Sequence, residues 1–227
     1  MAGTLALVGG AEFRKPCEEM DRELVRLAGG PDARVGIVPA AAARENPGLA
    51  AENGVRHFRR LGARAEAVMI VHRADAQAGR LADSVEELDL VYLTGGDTVH
   101  LLETLRESVA WAAMQRLLAR GGVLAGSSAG AMVMGGWAWA PGEGWREGLG
   151  AALGIAVVPH HATLAARWNV EEMRRSLPAG VTLVGLDECT GLVGDGRDWR
   201  ALGAGEVTVY RGETPEVRRA GEAIRLG

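Results

Sequence analysis

Short apolar runs alternate along this chain with stretches whose apolar residues recur every three or four positions. Residues 4–8 form such a run, halted at Gly9-Gly10; residues 17–28 then carry Met20, Leu24, Val25 and Leu27 at helical spacing and stop at Gly29-Gly30. The pattern predicts a strand and then a helix, and it repeats. A run at 35–38 precedes helical periodicity over 47–61, which Gly62 ends, and a strand is expected at 65–71. A weaker helical stretch over 74–88 leads to a strand at 90–93, a Gly95-Gly96 turn, helical spacing through Leu118 with a break near Ser108, and a strand at 123–125. Strands written as continuous apolar runs, separated by helices, are buried on both faces. The expected fold class is therefore α/β, a doubly wound, mainly parallel sheet with helices on both faces.

Beyond Ala131 the texture changes. Residues 135–150 hold six Gly, one Pro and three Trp without clean periodicity, which predicts a long loop or irregular hairpin. Regular signals return as strands at 155–158 and 181–186, a helix over 165–177, and short β segments at 190–193 and 206–210. Nothing along the chain reads as a linker or a repeat. With 227 residues, 48% hydrophobic, it fits one α/β domain over residues 1–227.

Charge narrows the partners. A net charge of −4 with no Lys/Arg cluster gives no footprint for nucleic acid or a membrane surface. Two cysteines, Cys17 and Cys189, are too few for a disulfide framework, and the first ten residues lack the basic segment and the long apolar run of a secretory signal. These features point to the cytoplasm.

The candidate chemistry begins at Gly126-Ser127-Ser128-Ala129-Gly130, a G-x-S-x-G pentapeptide between an apolar strand and a small-residue helix. That strand-turn-helix context makes Ser128 a candidate nucleophile, with a helix N-terminus behind it. A serine hydroxyl needs a base, and the base needs orienting. The strand at 155–158 delivers His160-His161 at its C-terminal end, the edge where doubly wound sheets collect their active sites. His160 is the candidate base. Successive side chains on an extended segment face opposite ways, which argues against one metal ion held by both histidines. Two acids, Glu143 and Glu147, lie between Ser128 and His160, and one of them is expected to hold the imidazole. The amide of Ala129 and that of Gly96, in the Thr94-Gly95-Gly96-Asp97-Thr98 turn, are candidate oxyanion donors. Such a constellation works without metal or cofactor.

The motifs L-V-G-G-A-E near the start, L-T-G-G-D-T-V-H-L-L at 93–102, G-S-S-A-G-A at 126–131, V-P-H-H at 158–161 and G-L-D-E-C-T at 185–190 come in an order and at separations that resemble the aspartyl dipeptidase and cyanophycinase family of serine peptidases. The resemblance runs nearly end to end. It implies a fold similar to the glutaminase domain of class I glutamine amidotransferases, a Ser-His-acid triad of Ser128, His160 and Glu143, and oxyanion donors at Gly96 and Ala129. It also implies a small peptide substrate containing aspartate or a β-aspartyl linkage. Asp97 in the glycine turn, Arg167 seven residues past His160, and Glu188 and Thr190 at the pocket rim are the implied substrate contacts, and a homodimer is compatible with the family. Trp139, Trp137 and Trp145 flank the stretch carrying Glu143 and are candidates for an apolar pocket wall, a role weighed against core packing. His161 stands where the family usually has an aromatic residue. The competing readings are a serine esterase of α/β-hydrolase type and a catalytically inactive binding protein on the same fold.

Overall fold

The central strands bury alternate residues on opposite faces, and this alternation sets the architecture. A computed structural model describes residues 3–212 and 214–226. In chain order the first half comprises β1 (Thr4–Val8), α1 (Glu18–Leu27), β2 (Arg34–Val38), α2 (Pro47–Arg60), β3 (Arg64–Ala67), α3 (Arg73–Ala76), α4 (Gly79–Glu86), β4 (Leu90–Leu93), α5 (Thr98–Leu105), α6 (Val109–Ala119), β5 (Val123–Ser127) and α7 (Ala129–Met134). The second half comprises β6 (Gly135–Ala140), β7 (Gly144–Glu147), β8 (Ala152–Val158), α8 (His161–Leu164), α9 (Val170–Arg175), β9 (Thr182–Leu186), β10 (Thr190–Gly194), β11 (Asp198–Gly203), β12 (Val207–Tyr210), β13 (Glu216–Arg218) and β14 (Ala223–Arg225).

Strands β1, β5, β4, β2 and β3 are parallel neighbours, as the apolar runs predict, and antiparallel β10, β11 and β14 extend the sheet beyond β1. Ala6, Ile37, Leu90, Tyr92 and Ala125 face Leu24 and Val25 of α1 and Ala51 and Phe58 of α2. Leu5, Leu7, Val91, Leu93 and Leu124 face the other way, onto Leu101 and Leu105 of α5 and Met114 and Leu117 of α6. Both faces are thus dry, which is what unbroken apolar strands require.

The helix boundaries have local causes. Asn46 caps α2 by accepting from the Leu49 amide at 3.0 Å, with Pro47 in its first turn. Asp97 caps α5 through the His100 amide at 2.9 Å, and Ser108 caps α6 through Trp111 at 3.0 Å, which is the expected break near Ser108. The stretch 74–88 divides into α3 and α4, and of the helix expected over 165–177 only α9 forms, with the short α8 lying before it, because neither stretch carries periodicity strong enough for one long helix.

The second half differs from the expected single sheet. Residues 135–150 form the hairpin β6–β7, with Trp139 opposite Trp145, and this hairpin opens a separate six-stranded sheet in the order β13-β12-β9-β8-β6-β7. The two sheets share one core: Ile155, Val157, Val184 and Val207 pack in the same cluster as Leu5, Leu7 and the α5–α6 leucines, and every residue of α7 is buried in it. Trp137, Trp139 and Trp145 lie on the outer face of this sheet, against Val170 and Met173 of α9.

Phe58 is fully buried between α2 and the parallel sheet. Its replacement by Ala is expected to cost about 3–5 kcal/mol of unfolding free energy, measured by urea denaturation, with the denaturant slope unchanged.

Candidate active site

Three consecutive carbonyls at the end of β1 hold the three segments that carry the candidate residues. The Ser128 amide donates to Val8 O at 2.9 Å, the His160 amide to Gly9 O at 2.7 Å, and the Cys189 amide to Gly10 O at 2.9 Å. The strand-order change beside β1 thus places the end of β5, the end of β8 and the β9–β10 turn at one point, the crevice at the carboxyl ends of parallel strands where α/β folds collect ligands.

Ser128 sits at φ 50°, ψ −109°, on the sharp bend between β5 and α7. Such a backbone costs about 1–3 kcal/mol, offset here by the surrounding packing. The flanking glycine is needed for approach: a Cβ at Gly130 would lie 2.6 Å from Leu93 O. His160, with φ 49° and ψ 37°, ends β8 in a left-handed turn. Its Nε2 lies 3.2 Å from Ser128 Oγ, and its Nδ1 lies 2.8 Å from Glu188 Oε1. A carboxylate only accepts, so Nδ1 carries the proton and Nε2 is left to accept from the serine hydroxyl. The ring rests on Gly10, where a Cβ would meet His160 Cε1 at 2.2 Å.

The carboxylate that meets His160 Nδ1 is therefore that of Glu188 and not that of Glu143. Glu143 lies in the exposed β6–β7 turn, 3.7 Å from Arg146, and Glu147 is an exposed partner of Arg106. Confining the acid to the interval between Ser128 and His160 excluded the residue that chain reversal brings to the imidazole. Glu188 follows β9, which is parallel to β8 and adjacent to it, so the two strand ends deliver His160 and Glu188 side by side. Its signal in the sequence is the polar turn Asp187-Glu188 directly after an apolar strand.

Glu12 is a second residue that sequence reasoning passed over. Its Oε1 accepts from the Gly95 amide at 2.8 Å and its Oε2 from the Ser127 hydroxyl at 2.8 Å, so one carboxylate ties the glycine turn to the serine bend. The neighbouring amides of Gly96 and Ala129 have no hydrogen-bond acceptor among the described residues. Two unengaged N–H groups beside a serine hydroxyl suit a developing oxyanion.

The sequence profile of Peptidase family S51 matches residues 5–200. A cyanophycinase from Trichormus variabilis is 30% identical over 216 residues, covering 89% of this chain and 72% of the relative. The chain belongs to Peptidase family S51. It is a serine-type peptidase, a hydrolase, and the resemblance carried by its motifs holds. A cyanophycinase from Geminocystis herdmanii is 27% identical over 94% of this chain and 82% of its own length. Among solved structures, a peptidase from an acI-B1 actinobacterium superposes with a TM-score of 0.89 at 28% identity, covering 100% of this chain and 98% of that one. The fold is that of a peptidase, consistent with the amidotransferase-like α/β class.

Other expected S51 site residues fall elsewhere. His161 points away from Ser128: its Nε2 lies 2.6 Å from the Tyr210 hydroxyl, and burial holds its pKa below the ordinary histidine value, with Asp187 opposing. Asp97 caps α5 and pairs with Arg44 at 2.9 Å. Thr190 Oγ1 accepts from the Gly205 amide at 2.8 Å and is buried, a structural role in the β9–β10 turn. Arg167 is exposed beyond α8 and does not line the cleft that contains Ser128 and His160. Trp139 lines a separate cleft with Trp137, Trp145 and Trp168, packing edge-on to Trp145 at 5.2 Å, so it forms no wall beside the serine. Among the described residues no cluster of His, Cys, Asp and Glu is suited to a metal ion, and no helix is long and apolar enough to cross a membrane.

Gly10→Ala is expected to push the His160 ring off Ser128 and lower kcat by roughly 10²-fold, as a 1 Å misplacement does, with circular dichroism unchanged. Glu12→Ala is expected to lower kcat by up to ~10²-fold through the loosened glycine turn. Glu12→Gln is expected to recover most of that loss, since an amide can accept from Gly95 N–H and donate to Ser127 Oγ.

Proposed function

We propose that this chain hydrolyses small peptides containing aspartate or a β-aspartyl linkage, through a Ser128-His160-Glu188 triad and an acyl-enzyme. The observation that carries the reading is the unbroken relay from Ser128 Oγ to His160 Nε2 at 3.2 Å and from His160 Nδ1 to Glu188 at 2.8 Å. Ser128 Oγ attacks the scissile carbonyl carbon as its proton passes to His160 Nε2. The imidazolium formed is stabilised by Glu188 at Nδ1. The carbonyl oxygen, now an alkoxide, accepts from the Ala129 and Gly96 amides, donors in place before the charge appears. His160 returns its proton to the leaving nitrogen, the C–N bond breaks, and the acyl group stays on Oγ as an ester. Water enters where the amine left and attacks the ester carbon as its proton passes to the same Nε2; the C–Oγ bond then breaks as His160 returns that proton to Ser128 Oγ, releasing the carboxylic acid.

The preference for an aspartyl residue rests on the T-G-G-D-T turn at 94–98 and on G-L-D-E-C-T at 185–190, which resemble the corresponding motifs of aspartyl dipeptidases and cyanophycinases. The cytoplasm suits Cys17 and Cys189, which are buried free thiols; burial also pushes the Cys17 pKa up, keeping it protonated and unreactive.

A fluorophosphonate probe is expected to label the wild type and not Ser128→Ala. On a panel of Asp-X, β-Asp-X and ester substrates, wild type is expected to turn over the peptides; cleavage of esters alone overturns the peptidase assignment of substrate. Glu188→Gln is expected to lower kcat by ~10⁴-fold, the scale set by loss of the orienting carboxylate in a serine triad. Glu143→Gln is expected to leave kcat within about twofold, and the reverse pattern would restore Glu143 as the acid.

A further inference from the structure

The cleft that holds Ser128 and His160 is larger than a dipeptide needs, with a volume of about 700 Å³, and it is not centred on the serine. It runs along one face of α2, whose positions Asn46, Asn53, Arg56 and Arg60 all line it. These residues recur at helical spacing, so one stripe of the helix forms a wall. At 1.5 Å per residue, Asn46 and Arg60 stand about 21 Å apart along the axis. The N-terminal end of α2 is the end near the serine. The segment just before it meets the glycine turn, where the Asp97 amide donates to Ala41 O at 2.8 Å. The far end reaches α1, where Arg60 lies 3.9 Å from Glu18. The opposite wall is the loop after β1: Phe13 packs 5.6 Å from His57, and Arg14 follows it.

Charge changes sign along this groove. Beside the serine stand Glu12, with both oxygens engaged, and Glu45. The far part of the α2 wall carries Arg56 and Arg60, and Arg14 lines the opposite wall. Arg56 is held by Glu52 at 2.8 Å, and Arg60 is held only loosely by Glu18, with Nη2 3.3 Å from His57 Nδ1. His57 is itself fixed by buried Asp21 at 2.7 Å. Arg14 has no carboxylate within 4 Å among the described residues. A structural salt-bridge network would pair these cations; here one is free and one is nearly so.

We propose that the α2 groove is an extended substrate subsite that binds a peptide well beyond the two residues at the scissile bond, with a carboxylate of its remote end at Arg14 and Arg60. The inference rests on the peptidase reading above. At ~3.3 Å per extended residue, 21 Å holds roughly six residues. The polar asparagines along the wall suit a peptide backbone, and the guanidiniums suit a carboxylate, which they bind bidentately. The carboxylate comes either from the chain terminus or from an acidic side chain.

The test is a series of peptides sharing one cleavable Asp-X bond and lengthened by neutral residues from two to eight in total. Each length is made as the C-terminal acid, the C-terminal amide, and the amide with one Glu near its end. Expected is a rise in kcat/KM of roughly tenfold once a carboxylate reaches the far end, a typical effect for a charge-assisted contact. The acid series alone rising identifies the terminus as the source; the Glu-amide series rising as well identifies the side chain. In Arg14→Gln/Arg60→Gln the ratio of long to short substrate is expected to fall to about one. Flat rates with length, equal rises for acid and neutral amide, or a ratio surviving in the double variant overturn the proposal. Calorimetric binding of the eight-residue acid and neutral amide to Ser128→Ala separates the two readings. Should no peptide be cleaved, tighter binding of the acid, lost in Ser128→Ala/Arg14→Gln/Arg60→Gln, would sustain the subsite while the hydrolytic reading fails, and equal binding of acid and amide would end the subsite too.

Discussion

The site depends on the last turn of β1. Val8, Gly9 and Gly10 present their carbonyls in sequence to the amides of Ser128, His160 and Cys189, so the segments carrying Ser128, His160 and Glu188 share one backbone reference. Each such bond is worth only about 1 kcal/mol to stability, a minor part of folding. Their weight is positional. A triad tolerates little displacement, and a backbone hydrogen bond between rigid strand ends fixes an atom more tightly than a loop packed by side chains. The same geometry explains the glycines: the His160 ring occupies the space where a side chain on Gly10 would begin.

Glu12 extends this logic to the other half of the site. The candidate oxyanion donors come from two segments far apart in sequence, the turn after β4 and the bend after β5, and a single carboxylate bridges these segments. Because both its oxygens are spent on that bridge, Glu12 acts as a brace within the cleft. The cleft then has two electrostatic regions, an acidic one at the serine and a cationic one along α2, so the candidate chemistry and the proposed recognition of a remote carboxylate are separated in space.

The two sheets divide labour. The parallel part of the first supplies β1, β4 and β5, hence the serine bend and the glycine turn, while the second supplies β8 and β9, hence His160 and Glu188. Helix α7 is buried in the core that both sheets share, so Ser128 and His160 are carried by different sheets on one packed core. The Trp-rich hairpin, the most conspicuous irregularity of the sequence, belongs to the outer face of the second sheet and packs on α9, away from the serine.

What the sequence alone determined was whatever rests on local chemistry. The apolar runs named the parallel strands, Gly29-Gly30, Gly62 and the break near Ser108 bounded helices, and the G-S-S-A-G bend and the strand-end His160 named a candidate nucleophile and base, because each needs only its immediate neighbours to be recognised. The carboxylate at His160 was legible only as a polar turn after a strand; that Glu188 and not Glu143 reaches Nδ1 follows from β8 and β9 being parallel neighbours, a pairing between segments that carry no mutual signal in the chain. The second sheet, the bracing role of Glu12 and the cationic groove along α2 were likewise decided by tertiary structure. Their partners lie tens of residues away, and periodicity and spacing describe how a segment is built, whereas only packing decides what it will face.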